Sequence, residues 1–402
     1  MANLDRNTPV VISAKRTPIG KFQGCFAKLS AVELGATAIR AAVAPLANGA
    51  LEHVEEVLMG NVVSAGLGQA PARQASILAG IPVTVGATTL NKVCGSGLKA
   101  VSLAAQAIRA GDGGLFVAGG MESMTRAPYL MDGRNGEMRF GHVQARDSLL
   151  NDGLWDPFEK WGMGMAAEFI AREFGVGRAE LDQYAWQSQQ KAALAIESGY
   201  FIDEIAPVSV PAKGGQVELL AVDESPRKET TIETLAKLKP SFDPNGVVTA
   251  GNASTMNDGA AACLVASLQY AEKNGLQPLA RIVASAHAAM PPKYLFDAPA
   301  HAIPKVLSRS GWNLADVDLI ELNEAFAAQV LANGKALANH GWDWGKVNIS
   351  GGAIALGHPL GASGTRILVT LIHNMVRTRV ARGLACLCLG GGEAVALTVE
   401  RM

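Results

Sequence analysis

Apolar positions along the chain fall into two alternating patterns. Short β-branched runs, such as Val10-Val11-Ile12 and Val54–Leu58 with Gly60 closing it, predict buried strands. Between them lie Ala-rich stretches with helical spacing, for example Leu98, Val101, Ala105 and Ile108. Ser30-Ala31-Val32-Glu33, with Leu29 ahead of it, has the form of a capping box and predicts a helix start. Pro71 suits the first turn of a further helix through Arg73, Ile77 and Leu78. Strand–helix alternation of this kind predicts an α/β fold with a mainly parallel, buried sheet.

The pattern changes between about Met124 and Asn245. There charges, Pro and Gly accumulate, as in Arg134-Asn135-Gly136, Asp156-Pro157 and Ser225-Pro226-Arg227-Lys228, although Arg178–Glu197 still reads as a helix. This stretch is expected to be an inserted subdomain beside a binding site. A weak internal repeat frames it. Gly95-Ser96-Gly97 opens a helical pattern that leads to Leu115–Ala118 and Gly119-Gly120; Ala362-Ser363-Gly364 opens another that leads to Leu384–Leu389 and Gly390-Gly391-Gly392. A duplicated α/β half accounts for both units.

Composition narrows the class. With 402 residues, 49% of them hydrophobic and 18% charged, the chain can bury a large core in two or three domains of ordinary size. A net charge of −1 argues against bulk binding to nucleic acid or to an anionic membrane. No apolar run is long enough for a transmembrane helix, and the polar start Met1–Pro9 lacks the order of a signal peptide. Five scattered cysteines do not form a disulfide framework. A cytoplasmic protein with reduced thiols is expected.

Three Gly-flanked segments carry candidate chemistry. In Asn91-Lys92-Val93-Cys94-Gly95-Ser96-Gly97 a strand leads through a turn into a helix, which puts Cys94 at a helix N-terminus. Unpaired amides there favour a thiolate, so a lowered Cys94 pKa and a nucleophilic role are expected. Gly95-Ser96-Gly97-Leu98-Lys99-Ala100 also fits G-x-G-x-x-A, a dinucleotide fingerprint, although no ribose-binding acid follows it on a second strand. In Ser350–Pro359, His358 sits between Gly357 and Pro359, where an imidazole fixed in a loop can exchange a proton with a thiol. In Cys386-Leu387-Cys388-Leu389-Gly390-Gly391-Gly392 both cysteines face one side of a strand; Cys388, at its end, is the chemical candidate and Cys386 a packing residue. The amides after Cys388 are donors of the oxyanion-hole kind, each typically worth about 3–4 kcal/mol of barrier. Asn323, after the apolar run Val317–Leu322, reads either as a holder of a catalytic water or as a helix N-cap. No HExxH or CxxC spacing is present, so no metal site is expected. Two thiols, one imidazole and one amide at element ends suggest acyl transfer through a thioester.

Taken together and in order, these motifs resemble the thiolase family. The resemblance runs from Arg16-Thr17-Pro18-Ile19-Gly20 through Asn91–Gly97, Gly119–Met124, Gly251-Asn252-Ala253-Ser254, Asn323–Phe326 and Gly351–Pro359 to Cys388–Gly392. It implies the thiolase fold: two similar α/β halves in αβαβα layers with an inserted loop domain. The halves would be residues 1–123 with 246–275, and 276–402; the loop domain would be 124–245 and would bind coenzyme A. The resemblance implies that Cys94 carries the acyl group, that His358 activates it, and that Cys388 is the acid/base for an α-proton. His358 and Asn323 would share one oxyanion hole, and the amides of Cys94 and Gly390 the other. Leu154, Met163, Arg227, Ala250, Ser254, Ala325 and Phe326 match coenzyme A contact positions. The implied activity is acetyl-CoA C-acyltransfer, with acyl-CoA as substrate, no further cofactor, and a homo-oligomer, tetramer or dimer.

Two segments depart from the family pattern near the acyl pocket, Gly162 before Met163-Gly164 and Tyr294-Leu295-Phe296-Asp297-Ala298-Pro299. They leave open a longer-chain 3-ketoacyl-CoA thiolase. A ketoacyl synthase of the same fold, a dinucleotide-dependent oxidoreductase and a non-catalytic CoA- or lipid-binding relative are the competing classes. The Cys388-x-Gly-Gly-Gly pattern speaks against the first of these.

Overall fold

The computed structural model describes residues 5–47, 49–134 and 140–402. Asn135 and Gly136, and the first four residues, lie outside the described residues.

A ten-stranded sheet organises the molecule. Its main strands are β1 (Pro9–Arg16), β2 (Glu56–Gly60), β3 (Gly86–Leu90), β4 (Leu115–Ser123), β5 (Asn257–Ser267), β6 (Ala280–Ala289), β7 (Leu319–Leu322), β8 (Arg382–Leu389) and β9 (Glu393–Arg401). The spatial order is β7-β8-β9-β6-β1-β5-β4-β2-β3, and the short Gly20–Lys21 strand pairs with β5. One pairing pattern occurs twice. From β1 outward, β5 and β4 join antiparallel and β2 joins β4 parallel. From β6 outward, β9 and β8 join antiparallel and β7 joins β8 parallel. The two runs meet where Val10 and Val11 of β1 pair antiparallel with Arg281 and Ala280 of β6.

The sheet is mixed, which corrects the mainly parallel sheet expected from strand–helix alternation. Crossover helices impose parallel pairing only on the strands that they connect. β9 instead follows β8 through the Gly390–Gly392 turn, and a hairpin is antiparallel by construction.

The helices that matter for the site are α1 (Ala31–Ala42), α2 (Pro71–Leu78), α3 (Ser96–Ala110), α4 (Met163–Glu173), α5 (Arg178–Glu197), α6 (Ala298–Ser310), α7 (Ala327–Ala336) and α8 (Leu360–Thr378). α1 starts with the expected capping box, and Pro71 stands in the first turn of α2. Side-chain alternation along the strands divides the core. Val11, Phe116, Ala118, Cys263, Val265, Leu387 and Leu397 pack with α3 and α8. Their neighbours Val10, Val117 and Leu264 pack with α1 and α2 on the opposite face. Ala284, Ala286, Cys386, Cys388 and Ala396 pack with α6 and α7. The middle helices α3 and α8 therefore lie against strands of both runs.

Candidate active site

α3 and α8 approach more closely than side chains of ordinary size allow. A β-carbon on Gly97 would stand 2.9 Å from the Thr365 nitrogen, and one on Gly364 would stand 2.5 Å from the Leu98 nitrogen. Both are shorter than a carbon–nitrogen contact tolerates. Gly97 thus serves helix–helix contact, and Gly95 makes room for the Leu389 side chain of β8, so both glycines have packing roles in place of the dinucleotide one. The crossing joins the loop before α3, which holds Cys94, to the loop before α8, which holds His358.

The Cys94 loop is set by its neighbours. Asn91 Oδ1 accepts from the Val93 amide at 2.9 Å, and Ser96 Oγ accepts from the Lys92 amide at 2.8 Å while donating to the Val93 carbonyl at 2.6 Å. Val93 is held at φ 46°, a left-handed conformation costly for a β-branched residue. That strain sits next to the thiol.

His358 is buried and fixed through one ring nitrogen. Nδ1 lies 2.6 Å from Ser363 Oγ, which donates its single hydrogen to the Pro359 carbonyl at 2.8 Å. Nδ1–H must then be the donor to Oγ, so Nε2 carries the free lone pair. The His358 amide donates to Asn257 Oδ1 at 3.0 Å. Burial, with the Arg366 cation as a smaller cause, pushes the imidazole down to about 3. A neutral base results.

Asn323 is fully buried, with its amide nitrogen 3.5 Å from His358 Nδ1. It does not cap α7, whose N-cap is Phe326 without a side-chain bond, so the capping role is excluded. Its Oδ1 is buried without a partner.

Cys388 stands one residue before the end of β8, on the same face as Cys386, and both are buried. Burial pushes the Cys388 thiol well up, and proximity to Cys94 and then Cys386 adds to this. The amides of Cys94 and Gly390 both donate toward the Cys94 sulfur, yet burial outweighs them and pushes that thiol up to about 12. The lowered Cys94 pKa expected from its helix N-terminus is therefore corrected: loss of water costs the thiolate more than two amides return.

Cys94, His358 and Cys388 open on one cavity of about 640 Å³, whereas Asn323 and Cys386 do not. Cys94, His358, Cys388 and Gly390 line it, together with Leu154, Met163, Arg227, Ala250, Ser254, Ala325 and Phe326. Lys21 and Arg227 are cations in its wall, and no carboxylate lines it among the described residues. The rest is largely apolar, including Phe22, Met124, Phe242, Leu295 and Phe296. A long apolar cavity with cations and a pair of thiols suits an anionic thioester with a flexible arm.

The family profile "Thiolase, N-terminal domain" matches residues 9–269, and "Thiolase, C-terminal domain" matches residues 276–401. The chain belongs to the thiolase family. An acetyl-CoA acetyltransferase of Pseudomonas aeruginosa is 53% identical over 98% of this chain and 99% of its own. One of Cupriavidus necator is 50% identical over the same shares of each chain. The crystal structure of the Bacillus anthracis acetyl-CoA acetyltransferase superposes with a TM-score of 0.94 at 40% identity, covering 98% of this thiolase and 99% of that chain. The α/β layers described above are the thiolase fold.

Buried acids that the sequence did not single out hold the site together. Glu122 accepts from Asn61 Nδ2 at 2.8 Å and from the amides of Val62 at 3.0 Å, Val63 at 3.2 Å and Gly361 at 2.9 Å, tying the end of β2 to the start of α8. Glu324 accepts from Tyr184 at 2.9 Å, Ser188 at 2.6 Å, Asn348 at 3.0 Å and the Ile354 amide at 3.1 Å, anchoring the loop that leads to His358. Both lie inside segments that carry the family resemblance, Gly119–Met124 and Asn323–Phe326, each at the end of an apolar run, but nothing local marked them as anchors.

Proposed function

We propose that this thiolase is an acetyl-CoA C-acetyltransferase that condenses two acetyl-CoA to acetoacetyl-CoA and runs the reverse thiolysis. The observation that carries the reading is the convergence of two thiols, a neutral imidazole and the Cys94 and Gly390 amides on one cavity. In the first half-reaction, His358 Nε2 takes the Cys94 proton as sulfur attacks the thioester carbonyl. The oxyanion is stabilised by amides, and the coenzyme A thiolate leaves with that proton. In the second, His358 Nε2 takes the Cys388 proton, and the Cys388 thiolate takes an α-proton from a new acetyl-CoA. While it holds that proton, His358 Nε2–H donates to the thioester oxygen of the enolate, beside a water held by Asn323. The enolate attacks the acyl-Cys94 carbonyl, the carbon–sulfur bond breaks, Cys388 keeps the α-proton, and His358 Nε2–H gives its proton to the Cys94 thiolate. Neutral resting thiols and imidazole fit this scheme, because charge forms only as bonds change.

Coenzyme A would lie along the 124–245 segment, with Lys21 and Arg227 facing its phosphates. The division into 1–123 with 246–275, 124–245 and 276–402 belongs to this reading. No cofactor beyond the acyl-CoA substrates is needed. Five free cysteines fit a reducing cytoplasm; among the described residues no helix is long and apolar enough to cross a membrane. A homo-oligomer, dimer or tetramer, is supported by β3, which among the described residues ends the sheet with one side unpaired, beside exposed Ile77, Leu78 and Val83.

Coenzyme A-dependent cleavage of acetoacetyl-CoA, with Cys94→Ala as control, tests the reading. Cleavage lost with Cys94 is the expected result; no cleavage by the folded wild type overturns it.

A further inference from the structure

The amides of Cys94 and Gly390 stand on two separate loops, and both donate toward the Cys94 sulfur. A donor of this kind works only where it is held in place before charge develops. The Gly390 loop has little of its own to hold it. Gly390-Gly391-Gly392 is a run of three glycines, the residue with most backbone freedom to lose. Gly391 and Gly392 stand at φ 83° and 87°, and nothing lies within 4 Å of where a β-carbon on Gly391 would be. The hairpin fixes the ends of the run: Leu389 pairs with Glu393, and the Gly392 carbonyl accepts from the Met290 amide at 2.7 Å.

The Cys94 loop supplies the remaining contacts. Val93 Cγ1 lies 3.4 Å from where a β-carbon on Gly390 would be, and a β-carbon on Gly95 would stand 2.4 Å from Leu389 Cδ2. These contacts are apolar and have no direction of their own. The one salt bridge between the loops among the described residues joins Lys92 Nζ to Glu393 Oε2. Lys92 precedes Cys94 by two residues, and Glu393 follows Gly390 by three. The Lys92 backbone is itself fixed, its amide donating to Ser96 Oγ at 2.8 Å and its carbonyl accepting from the Gly95 amide at 3.1 Å. The two side chains are 24% and 32% exposed, so water and salt screen the pair only in part. Other cations stand close by. Burial and then Lys92 push the Lys99 ammonium down, and burial followed by Lys305, Lys92 and Lys99 does the same to His287. Lys92 thus has like charge on one side and the Glu393 carboxylate on the other, which directs it to the glycine turn.

We propose that the Lys92–Glu393 ion pair is a latch that holds the Cys94 and Gly390 amides at the spacing of one oxyanion hole. Neither residue lines the cavity, so both are positioning residues that act through the backbone beside them. The inference rests on the reading of the site as a thiolase centre. A half-exposed pair adds little to overall stability, so its effect falls on the placing of the turn.

The test compares steady-state cleavage of acetoacetyl-CoA by the wild type, Lys92→Met, Glu393→Gln and the exchanged pair Lys92→Glu with Glu393→Lys, alongside thermal unfolding of each. Losing an oxyanion donor outright costs about 10²–10³ in kcat, and displacing one costs less. Each single variant is therefore expected to lose about 5–30-fold in kcat, with KM within about twofold and Tm little changed. The exchanged pair is expected to recover most of kcat, as a direct interaction between the two residues requires. Wild-type kcat in both single variants overturns the latch. An exchanged pair that loses as much as the two single variants combined also overturns it. A loss confined to KM or to Tm assigns the pair to substrate binding or to folding and overturns it as well. A folded wild type that cleaves no acetoacetyl-CoA overturns the thiolase reading and the latch with it.

Discussion

At Cys94 two influences on the thiol oppose one another. The amides of Cys94 and Gly390 stabilise a thiolate, and burial disfavours it by more. The net upward shift has a direct readout. Below its pKa only the thiolate fraction reacts with a small alkylating agent, and that fraction rises about tenfold per pH unit. Iodoacetamide labelling of Cys94, followed on its peptide, is expected to keep accelerating up to about pH 10. A plateau near neutrality would mean that the helix terminus prevails. On the proposed mechanism the thiols also divide the labour of the reaction. Cys94→Ala is expected to form no acyl-enzyme, whereas Cys388→Ala should still be acylated by acetyl-CoA but fail to condense or thiolyse. Intact-protein mass after mixing with acetyl-CoA separates the two, and equal loss of acylation would refute the division. Ser363 is a positioning residue, acting through His358 Nδ1. Ser363→Ala leaves that nitrogen without its acceptor, and a lost buried hydrogen bond of about 1–3 kcal/mol predicts kcat lower by about 5–100-fold with KM little changed. Ser363→Thr keeps the hydroxyl and should restore most of kcat. Equal losses in both variants would mean that the residue serves packing alone.

Among the elements, α3 and α8 decide whether the Cys94 and His358 loops meet. Gly97 and Gly364 face backbone of the opposite helix, so an added methyl must push the pair apart. Overpacking of this kind costs about 1–3 kcal/mol. Gly364→Ala is expected to lower stability by that amount and to depress acylation of Cys94 as well, since the shift separates His358 from the thiol. Urea unfolding with single-turnover acylation checks both; full acylation in a destabilised variant would show that the crossing supports the fold without setting the site. At this scale the chain was partly legible. The Ser30 capping box, Pro71 at a helix start and Arg178–Glu197 were readable because capping and apolar spacing are local. The sheet's mixed directions were not, because strand alternation is the same whether a neighbour runs parallel or antiparallel.

For the whole molecule, one buried network joins parts far apart in the chain. Arg16 Nε meets Glu204 Oε1 at 2.5 Å, and its Nη1 and Nη2 meet the Asp223 carboxylate at 2.7 and 2.9 Å. Glu204 in turn accepts from Thr370 of α8 at 3.0 Å. Arg16→Met would leave two carboxylates buried without their cation, a cost of about 3–5 kcal/mol. Equilibrium unfolding should show this loss, and one below about 1 kcal/mol would mean that water replaces the cation. Arg16 stood out in the sequence only as part of a motif; its role needs residues 204 and 223 beside it. The same holds at the active site. Cys94, His358 and Cys388 were each readable as candidates, because a thiol or imidazole next to glycine or proline at an element end is a local pattern. Their common cavity, the neutral state of His358, the upward shift of both thiols and the tethering by Glu122, Glu324 and Ser363 were decided only when distant segments packed. Burial and hydrogen-bond partners are properties of what surrounds a residue in space, and the order of residues along the chain specifies them only through the completed fold.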